Sequence, residues 1–340
     1  MVSTFSTGRV RYLAVLAAAI GILVLSPPGI QASTALPTVV NGKHVMWGAG
    51  QGYPSTQQAS ADNLIYHGGL IQRVPAVYLV YWGTEWQQGF SFTEGGFTYT
   101  NTTVKRYNEA FFGNVGGSPW AAVQTQYCQN IDPGFSCAGQ PYAQFVTNPK
   151  HQLKGTWTDP SPVPADIVTT GLAANQTTDP LEAEAIAAAA HFGYNIDATY
   201  FILTPPGHGA TGYGSVYCAY HSETAHTTGH GVRYAFIPYV PEQGAGCGTN
   251  SVNQNNNAFG NGYLDGYSIV AGHEYSEAVT DPDNQMDTQD GWNDITTSEN
   301  ADKCAWTDLQ NITLGGHPFA IQPTWSNEAN GGQGGCAVKR

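Results

Sequence analysis

Residues 272–282 carry a histidine and two glutamates at a spacing that suits a metal centre. In a helix, positions i and i+4 share one face, so His273 and Glu277 would project side by side as ligands. Glu274 would lie about a hundred degrees further round the helix, where it reaches a metal-bound water rather than the metal. A glutamate in that place is suited to take the proton of an attacking water. The spacing therefore predicts metal-dependent hydrolysis with Glu274 as the general base.

An acidic residue further along the chain completes the predicted ligand set. Glu299 follows Glu277 after 21 intervening residues. The layout resembles the gluzincin version of the H-E-x-x-H metalloprotease helix, with a glutamate in place of the second histidine. This resemblance implies zinc held by His273, Glu277 and Glu299, with a fourth position left for water. Asp302 and Asp281 are predicted to support these ligands, Asp302 by orienting His273.

The donor set leaves the identity of the metal open. Two carboxylates and one imidazole form a harder, more anionic site than two histidines and a glutamate, so Ca²⁺ or Mn²⁺ are alternatives to Zn²⁺. Further histidines fall between two predicted strands, at His208, His221, His226 and His230. We assign them to a Gly-rich loop, which is a poor platform for a rigid ligand. His221 is kept as an additional candidate.

The elements that must position these residues alternate between strands and helices. Runs of β-branched and aromatic residues predict strands at 77–82, 198–203 and 232–240. Helical patterns predict helices at 104–112, 181–192 and 267–280. Asp265 is the expected N-cap of the last helix, and Pro282 would end it. The order predicts an α/β or α+β fold with a single mixed sheet flanked by helices, with residues 267–280 as a zincin-like active helix.

The N-terminus has the order of a secretory signal peptide, in which Arg9 and Arg11 precede an apolar run that is followed by prolines and small residues. The apolar run is short for a membrane span, and no later segment is longer. We expect a signal peptide at 1–33, a flexible N-terminal arm at 34–62 and one globular domain at 63–340. The protein would be secreted, extracellular or cell-wall-associated, with no membrane span after signal cleavage.

Six cysteines follow the predicted signal peptide: Cys128, Cys137, Cys218, Cys247, Cys304 and Cys336. An even number of cysteines in an exported chain favours disulfides. Several pairings are formally possible. We expect neighbours in the sequence to pair, because each such bond closes a local Gly-rich loop.

The charge balance excludes one class of partner and marks one region. With 12 basic and 25 acidic residues in 340, the chain lacks the Lys and Arg clusters that bind nucleic acid. Ten of the 25 acids fall in residues 265–302, a segment without Lys or Arg. A bound cation is the simplest compensation for carboxylates gathered in this way.

A series of short motifs resembles the phosphate-induced protein 1/exordium family. The motifs are Y-H-G-G at 66–69, V-Y-L-V-Y-W-G at 77–83, Y-F-I-L-T at 200–204, C-A-Y-H at 218–221, Y-A-F-I-P at 234–238, G-Y-L-D-G at 262–266 and T-D-P at 280–282. The resemblance implies a secreted, cell-wall-associated protein. The plant pattern typically lacks the pair His273 and Glu274, so the chain looks like a bacterial-type member with an added H-E-x-x-E motif. The growth role of the plant proteins is therefore not implied.

Two functions follow from these features. The first is an exported metal-dependent hydrolase, a zinc peptidase that acts on a peptide or protein substrate. The alternative is a non-enzymatic extracellular protein whose acidic C-terminal region binds Ca²⁺. Its aromatic residues would then bind a cell-wall polysaccharide or a protein partner.

Overall fold

A computed structural model gives the fold within the compact unit Ala35–Arg340. It describes residues 39–340 with the exception of 41–42, 50–61, 166, 168–178, 225–229, 255–258, 260–261 and 284–289. The signal peptide predicted at residues 1–33 lies outside the described residues, as does His226.

Short strands and a few helices make up the described chain. The strands are β1 Val39–Val40, β2 Lys43–Trp47, β3 Ile65–Tyr66, β4 Ala76–Trp82, β5 Ser91–Glu94, β6 Phe97–Thr100, β7 Cys128–Gln129, β8 Gln144–Phe145, β9 Leu153–Asp159, β10 Ala198–Leu203, β11 Tyr217–Glu223, β12 Arg233–Ile237, β13 Trp292–Asn293, β14 Gln310–Leu314, β15 His317–Ile321, β16 Thr324–Ser326 and β17 Gly335–Ala337. The α-helices are α1 Glu85–Gln88, α2 Asn101–Val115, α3 Pro180–Phe192, α4 Asp265–Thr280 and α5 Ala329–Gly332. Single 3₁₀ segments span Ala121–Gln126, Val240–Cys247 and Asp302–Cys304.

Seven of the described strands form one mixed sheet in the order β1-β2-β11-β12-β10-β4-β9. Strands β12, β10, β4 and β9 run parallel, whereas β11 is antiparallel to both β12 and β2. The parallel strands β4, β10 and β12 read as nearly continuous apolar runs because helices cover both faces of the sheet there, whereas β9 at the edge is mixed and partly exposed. The prediction of a mixed α+β fold with one main sheet flanked by helices is confirmed.

The two faces of the sheet pack against different helices. Helix α3 covers one face, where Leu181, Ala185 and Ala188 are fully buried with Tyr200 and Phe236. Helices α2 and α4 belong to the larger core on the other face. The sheet therefore separates α3 from the helix that carries the predicted metal ligands.

Helix α4 is buried along its entire length. It packs against β11 and β12 on the sheet side and against β15 of the β14–β15 hairpin. Asp265 is not the N-cap that the sequence predicted. Leu264 occupies the cap position, and the Asp265 carboxylate instead accepts hydrogen bonds from the amides of Val252 and Asn253 at 2.9 and 2.8 Å.

All six cysteines are paired, and the predicted neighbour pairing is confirmed: Cys128–Cys137, Cys218–Cys247 and Cys304–Cys336. Two of these bonds hold elements beside α4. Cys218 belongs to β11, and Cys304 ends the 3₁₀ segment that begins at Asp302. Disulfides of this kind are typical of proteins that fold in an oxidising compartment.

Part of the segment predicted as a flexible arm is ordered strand. Strand β2 pairs with β11 inside the main sheet. Lys43 of β2 is 3% exposed and donates to Asp179 at 2.8 Å and to the hydroxyls of Tyr220 and Tyr234 at 3.2 Å. The buried ion pair between Lys43 and Asp179 links the start of β2 to the N-terminus of α3. In the described chain, no helix is both long and apolar enough to cross a membrane.

Candidate metal centre

Helix α4 brings the three residues of the H-E-x-x-E motif into the interior. His273, Glu274 and Glu277 are each at most 1% exposed. His273 Nε2 lies 2.9 Å from Glu277 Oε1, one helical turn further on. The predicted pairing of these two side chains on one helix face is therefore observed.

His221 lies in a strand and not in the Gly-rich loop that the sequence predicted. It belongs to β11, between β2 and β12, and is 1% exposed. Its Nδ1 shares a hydrogen bond with Glu274 Oε2 at 3.1 Å and lies 3.6 Å from Glu277 Oε2. The apolar and aromatic run at 217–220 is the sequence pattern that indicates this strand. A strand inside the sheet is the kind of rigid platform that a metal ligand needs.

The segment after β13 delivers the remaining carboxylates. The Asn300 side chain donates to the carbonyl of Ser276 and to the Thr280 hydroxyl, both at 2.7 Å, which fastens this segment to α4. The Asp302 amide donates to Glu277 Oε1 at 2.9 Å. The Glu299 amide donates to Asp302 Oδ2 at 3.2 Å. Glu299 and Asp302 are therefore held in place by their backbone amides, which donate to the carboxylates of Asp302 and Glu277.

Among the described residues, the ligand atoms form two groups that share Glu277. One group is His221, Glu277 and Glu299, and the other is His273, Glu277 and Asp302; in each, the atoms lie within 4.8 Å of one another. His273 and Glu299, predicted to bind the same ion, fall in different groups. Asp302 was predicted to support His273 from outside the ligand set. It instead lies in the same group as His273, as a candidate ligand.

The separations within these groups suit atoms that share a metal ion. Two donors about 2.0–2.2 Å from one ion, at angles of about 90–120°, lie about 3.0–3.6 Å apart. The observed separations are 2.9 Å from His273 to Glu277, 3.6 Å from His273 to Asp302 and 3.6 Å from His221 to Glu299. The residues present therefore fit a divalent cation.

Four polar atoms of the H-E-x-x-E residues make no hydrogen bond of good geometry in the described structure. They are both ring nitrogens of His273, Glu274 Oε1 and Glu277 Oε2. The Gln322 side chain lies beside the His273 ring, and the Met46 backbone lies beside the Glu274 carboxylate. The close contact between His273 Nε2 and Glu277 Oε1 has the distance of a hydrogen bond but not its geometry. Because a buried polar atom without a partner is costly, these atoms point to a ligand that satisfies them.

Burial controls the ionisation of the site. It raises the pKa of Glu274 well above its usual range, and the neighbouring Glu277 and Asp302 raise that pKa further. Burial also raises the pKa of Glu299, and among its charged neighbours Glu277 raises that pKa the most. Burial lowers the pKa of His273 to about 4, although Asp302 acts in the opposite direction. In the absence of a cation, the raised pKa values of Glu274 and Glu299 favour their protonated forms, and the lowered pKa of His273 favours its neutral form.

The other candidate residues lie outside these two groups. The Asp281 carboxylate accepts hydrogen bonds from the Gly291 amide at 2.6 Å and from Asn293 at 3.3 Å, while its carbonyl oxygen lies 3.3 Å from His221 Nε2. His208 contacts Glu85 at 3.2 Å, and His230 contacts Asp283 at 3.1 Å. Asp281 thus holds the chain beyond α4 and meets His221 through its backbone carbonyl.

Comparison of the chain with protein-family models, curated proteins and solved structures gave no match. The resemblance to the phosphate-induced protein 1/exordium family stays a prediction from its motifs.

Proposed function

We propose that the chain is an exported metal-dependent hydrolase that cleaves peptide bonds. One observation carries this proposal: His221, Glu277 and Glu299 come from three separate elements and meet within 4.8 Å in the interior. Donors from a strand, a helix and a loop converge in this way when they have a common ligand to bind. A zincin-like role for α4 follows, with His221 as a ligand that the helix pattern alone does not contain.

Glu274 is the residue best placed to move a proton. Its Oε2 shares the hydrogen bond with His221 Nδ1, and its Oε1 makes no hydrogen bond of good geometry in the described structure, with the Met46 backbone beside the carboxylate. The first contact would orient the histidine ligand. The second oxygen would accept the proton of a water as it attacks a carbonyl. A bound divalent metal supplies Lewis acidity and lowers the pKa of a coordinated water.

The choice of zinc and of a peptide substrate rests on the H-E-x-x-E spacing, with Mn²⁺ and Ca²⁺ as the other metals that carboxylates accept. Export rests on the signal-peptide pattern at residues 1–33 and agrees with three disulfides. A cell-wall location and a polysaccharide contact rest on the family resemblance.

The substitution Glu274→Gln tests the catalytic role. It keeps the size of the side chain and a hydrogen-bond acceptor for His221 but removes the proton acceptor. We expect hydrolysis of an unfolded protein substrate to fall by about 10²-fold or more, while the bound metal measured by mass spectrometry is retained. Glu184→Gln, which replaces a buried carboxyl on α3, should leave both unchanged. Full activity in Glu274→Gln, or none in the wild-type protein on any peptide, contradicts the proposal.

Burial of the site favours a second function, a non-enzymatic protein in which the metal is structural. His221, Glu274, Glu277 and Glu299 are each at most 1% exposed, whereas a catalytic metal needs a position open to substrate. Crystals soaked with a hydroxamate, a metal-binding group of peptidase inhibitors, separate the two functions. A hydroxamate bound at Glu277 supports hydrolysis, and stoichiometric calcium without inhibitor binding supports the structural metal.

A further inference from the structure

We propose that the centre holds two divalent metal ions and that Glu277 bridges them. This inference rests on the metal binding in the proposed function and deepens it. Glu277 is the only residue common to both ligand groups found among the described residues. A carboxylate has two oxygens, and metal pairs in proteins that share such a ligand lie about 3.5–4 Å apart.

The two oxygens of Glu277 face different partners. Oε1 lies 2.9 Å from His273 Nε2, and His273 Nε2 lies 3.6 Å from Asp302 Oδ1. Oε2 lies on the side of His221, 3.6 Å from its Nδ1. Because Nδ1 shares a hydrogen bond with Glu274, the ion would bind the other ring nitrogen, Nε2, which lies 3.6 Å from Glu299 Oε1. Ligand atoms of His221, Glu277 and Glu299 lie within 4.8 Å of one another. One metal position is therefore formed by His273, Glu277 Oε1 and Asp302. The other is formed by His221, Glu277 Oε2 and Glu299.

His273 gives independent evidence for the first of these positions. It is fully buried, and neither ring nitrogen makes a hydrogen bond of good geometry in the described structure, although the Gln322 side chain lies close enough to the ring to raise its pKa. A histidine kept in the core only for packing would make at least one well-formed hydrogen bond. Its contacts at Nε2 are carboxylate oxygens at the separations of fellow ligands. A metal ion on this nitrogen satisfies the ring and explains its approach to Glu277 and Asp302.

The charges agree with two ions better than with one. Glu274, Glu277, Glu299 and Asp302 are at most 2% exposed and contact one another and two histidines. Lys303 follows Asp302 in the chain but pairs with Asp294 at 2.8 Å. Four carboxylates in a dry interior carry more negative charge than one divalent cation neutralises. Two divalent cations balance four ionised carboxylates, and the histidines then bind as neutral ligands.

Metal stoichiometry and magnetic coupling test the inference without reference to activity. We expect the purified secreted protein, first stripped with a chelator, to bind two equivalents of Zn²⁺ per chain by calorimetry and by mass spectrometry of the dialysed sample. With Mn²⁺ as the probe, the paramagnetic resonance spectrum should show an exchange-coupled pair. Asp302→Asn and His273→Gln should each reduce the stoichiometry to one equivalent and abolish the coupling. His221→Gln should remove the other equivalent with the same loss of coupling.

Glu184→Gln is the matched control, since it replaces a buried carboxyl outside the cluster and should keep two coupled ions. The bridge itself is tested by Glu277→Gln, which should lose the coupling. If that variant fails to fold, the stoichiometry and spectrum of the wild-type protein still decide. One equivalent in the wild-type protein, or two in His273→Gln, overturns the inference. Hydrolysis by a protein with one ion would overturn only the dinuclear centre, and two ions without hydrolysis would overturn only the enzymatic function.

Discussion

A carboxyl group buried without a cation binds its proton more tightly than it does in water, and this chain has such groups on both sides of its sheet. Around Glu277 the buried acids stand beside histidines at ligand distances, which makes them candidates for metal binding. Glu184 on α3 is a contrasting case. It is 5% exposed, and burial, reinforced by Asp159, raises its pKa to about 8. This carboxyl belongs to no ligand group in the described structure, so its effect on stability can be isolated.

We expect Glu184 to make the protein less stable as the pH rises. In the unfolded chain the group loses its proton near its ordinary pKa of 4.5, whereas in the fold it keeps the proton to about pH 8. Between these values the folded state binds more protons, so the free energy of unfolding falls with increasing pH. Glu184→Gln should melt at the same temperature as wild type at pH 4.5 and on the order of a few °C higher at pH 8.5. An equal difference at both pH values would contradict this assignment.

At the scale of elements, the position of the site depends on how closely α4 approaches its neighbours. A Cβ added at Gly266 would lie 2.3 Å from the carbonyl oxygen of Cys247 and 2.7 Å from a methyl group of Val240. The first turn of α4 therefore rests directly on the backbone of the 3₁₀ segment Val240–Cys247. A side chain at position 266 would therefore push the first turn of α4 away from this segment.

Gly266→Ala should therefore destabilise the fold by about 1–3 kcal/mol, because the backbone carbonyl cannot move aside as a flexible side chain would. The measurement is the free energy of unfolding in urea. Gly113→Ala is the control, since Gly113 lies inside α2 with nothing within 4 Å of its Cβ position. That change should be neutral or stabilise by up to about 1 kcal/mol. If the two variants unfold alike, the close approach of α4 is not a constraint.

At the scale of the whole molecule, the acids concentrated in residues 265–302 have two roles: some hold the fold together and others belong to the candidate metal centre. Some of these acids are structural, as with Asp265 on the amides before α4, Asp281 on Gly291 and Asp294 on Lys303. Four others, Glu274, Glu277, Glu299 and Asp302, gather around the histidines of α4 and β11. Disulfides Cys218–Cys247 and Cys304–Cys336 secure the elements on either side of this convergence.

If the proposed metal is bound, its removal should weaken the entire fold. A ligand present at about 100 times its dissociation constant stabilises the folded state by about 2.7 kcal/mol per site. We expect a chelator to lower Tm and added Zn²⁺ to restore it, with Tm rising steadily with the logarithm of the Zn²⁺ concentration. His273→Gln should respond less to added Zn²⁺ than the wild-type protein. A Tm that is the same with chelator and with Zn²⁺ would show that these carboxylates hold no structural or catalytic ion.

The sequence by itself determined the local features of this protein. Strands β4 and β10, helices α3 and α4 and the pairing of neighbouring cysteines follow from short-range patterns, and the structure confirms them. The i to i+4 geometry likewise places His273 and Glu277 together, because a helix imposes that relation on any sequence.

Only the tertiary structure decided which residues complete the site. His221 reaches Glu274 because β11 is inserted between β2 and β12, and strand order in a sheet depends on contacts between residues far apart in the chain. For the same reason Glu299 and Asp302 come to different sides of Glu277, although they are one helical turn apart in sequence. Local periodicity places side chains on one element. The packing of separate elements, driven by burial of apolar surface, determines which of those side chains meet.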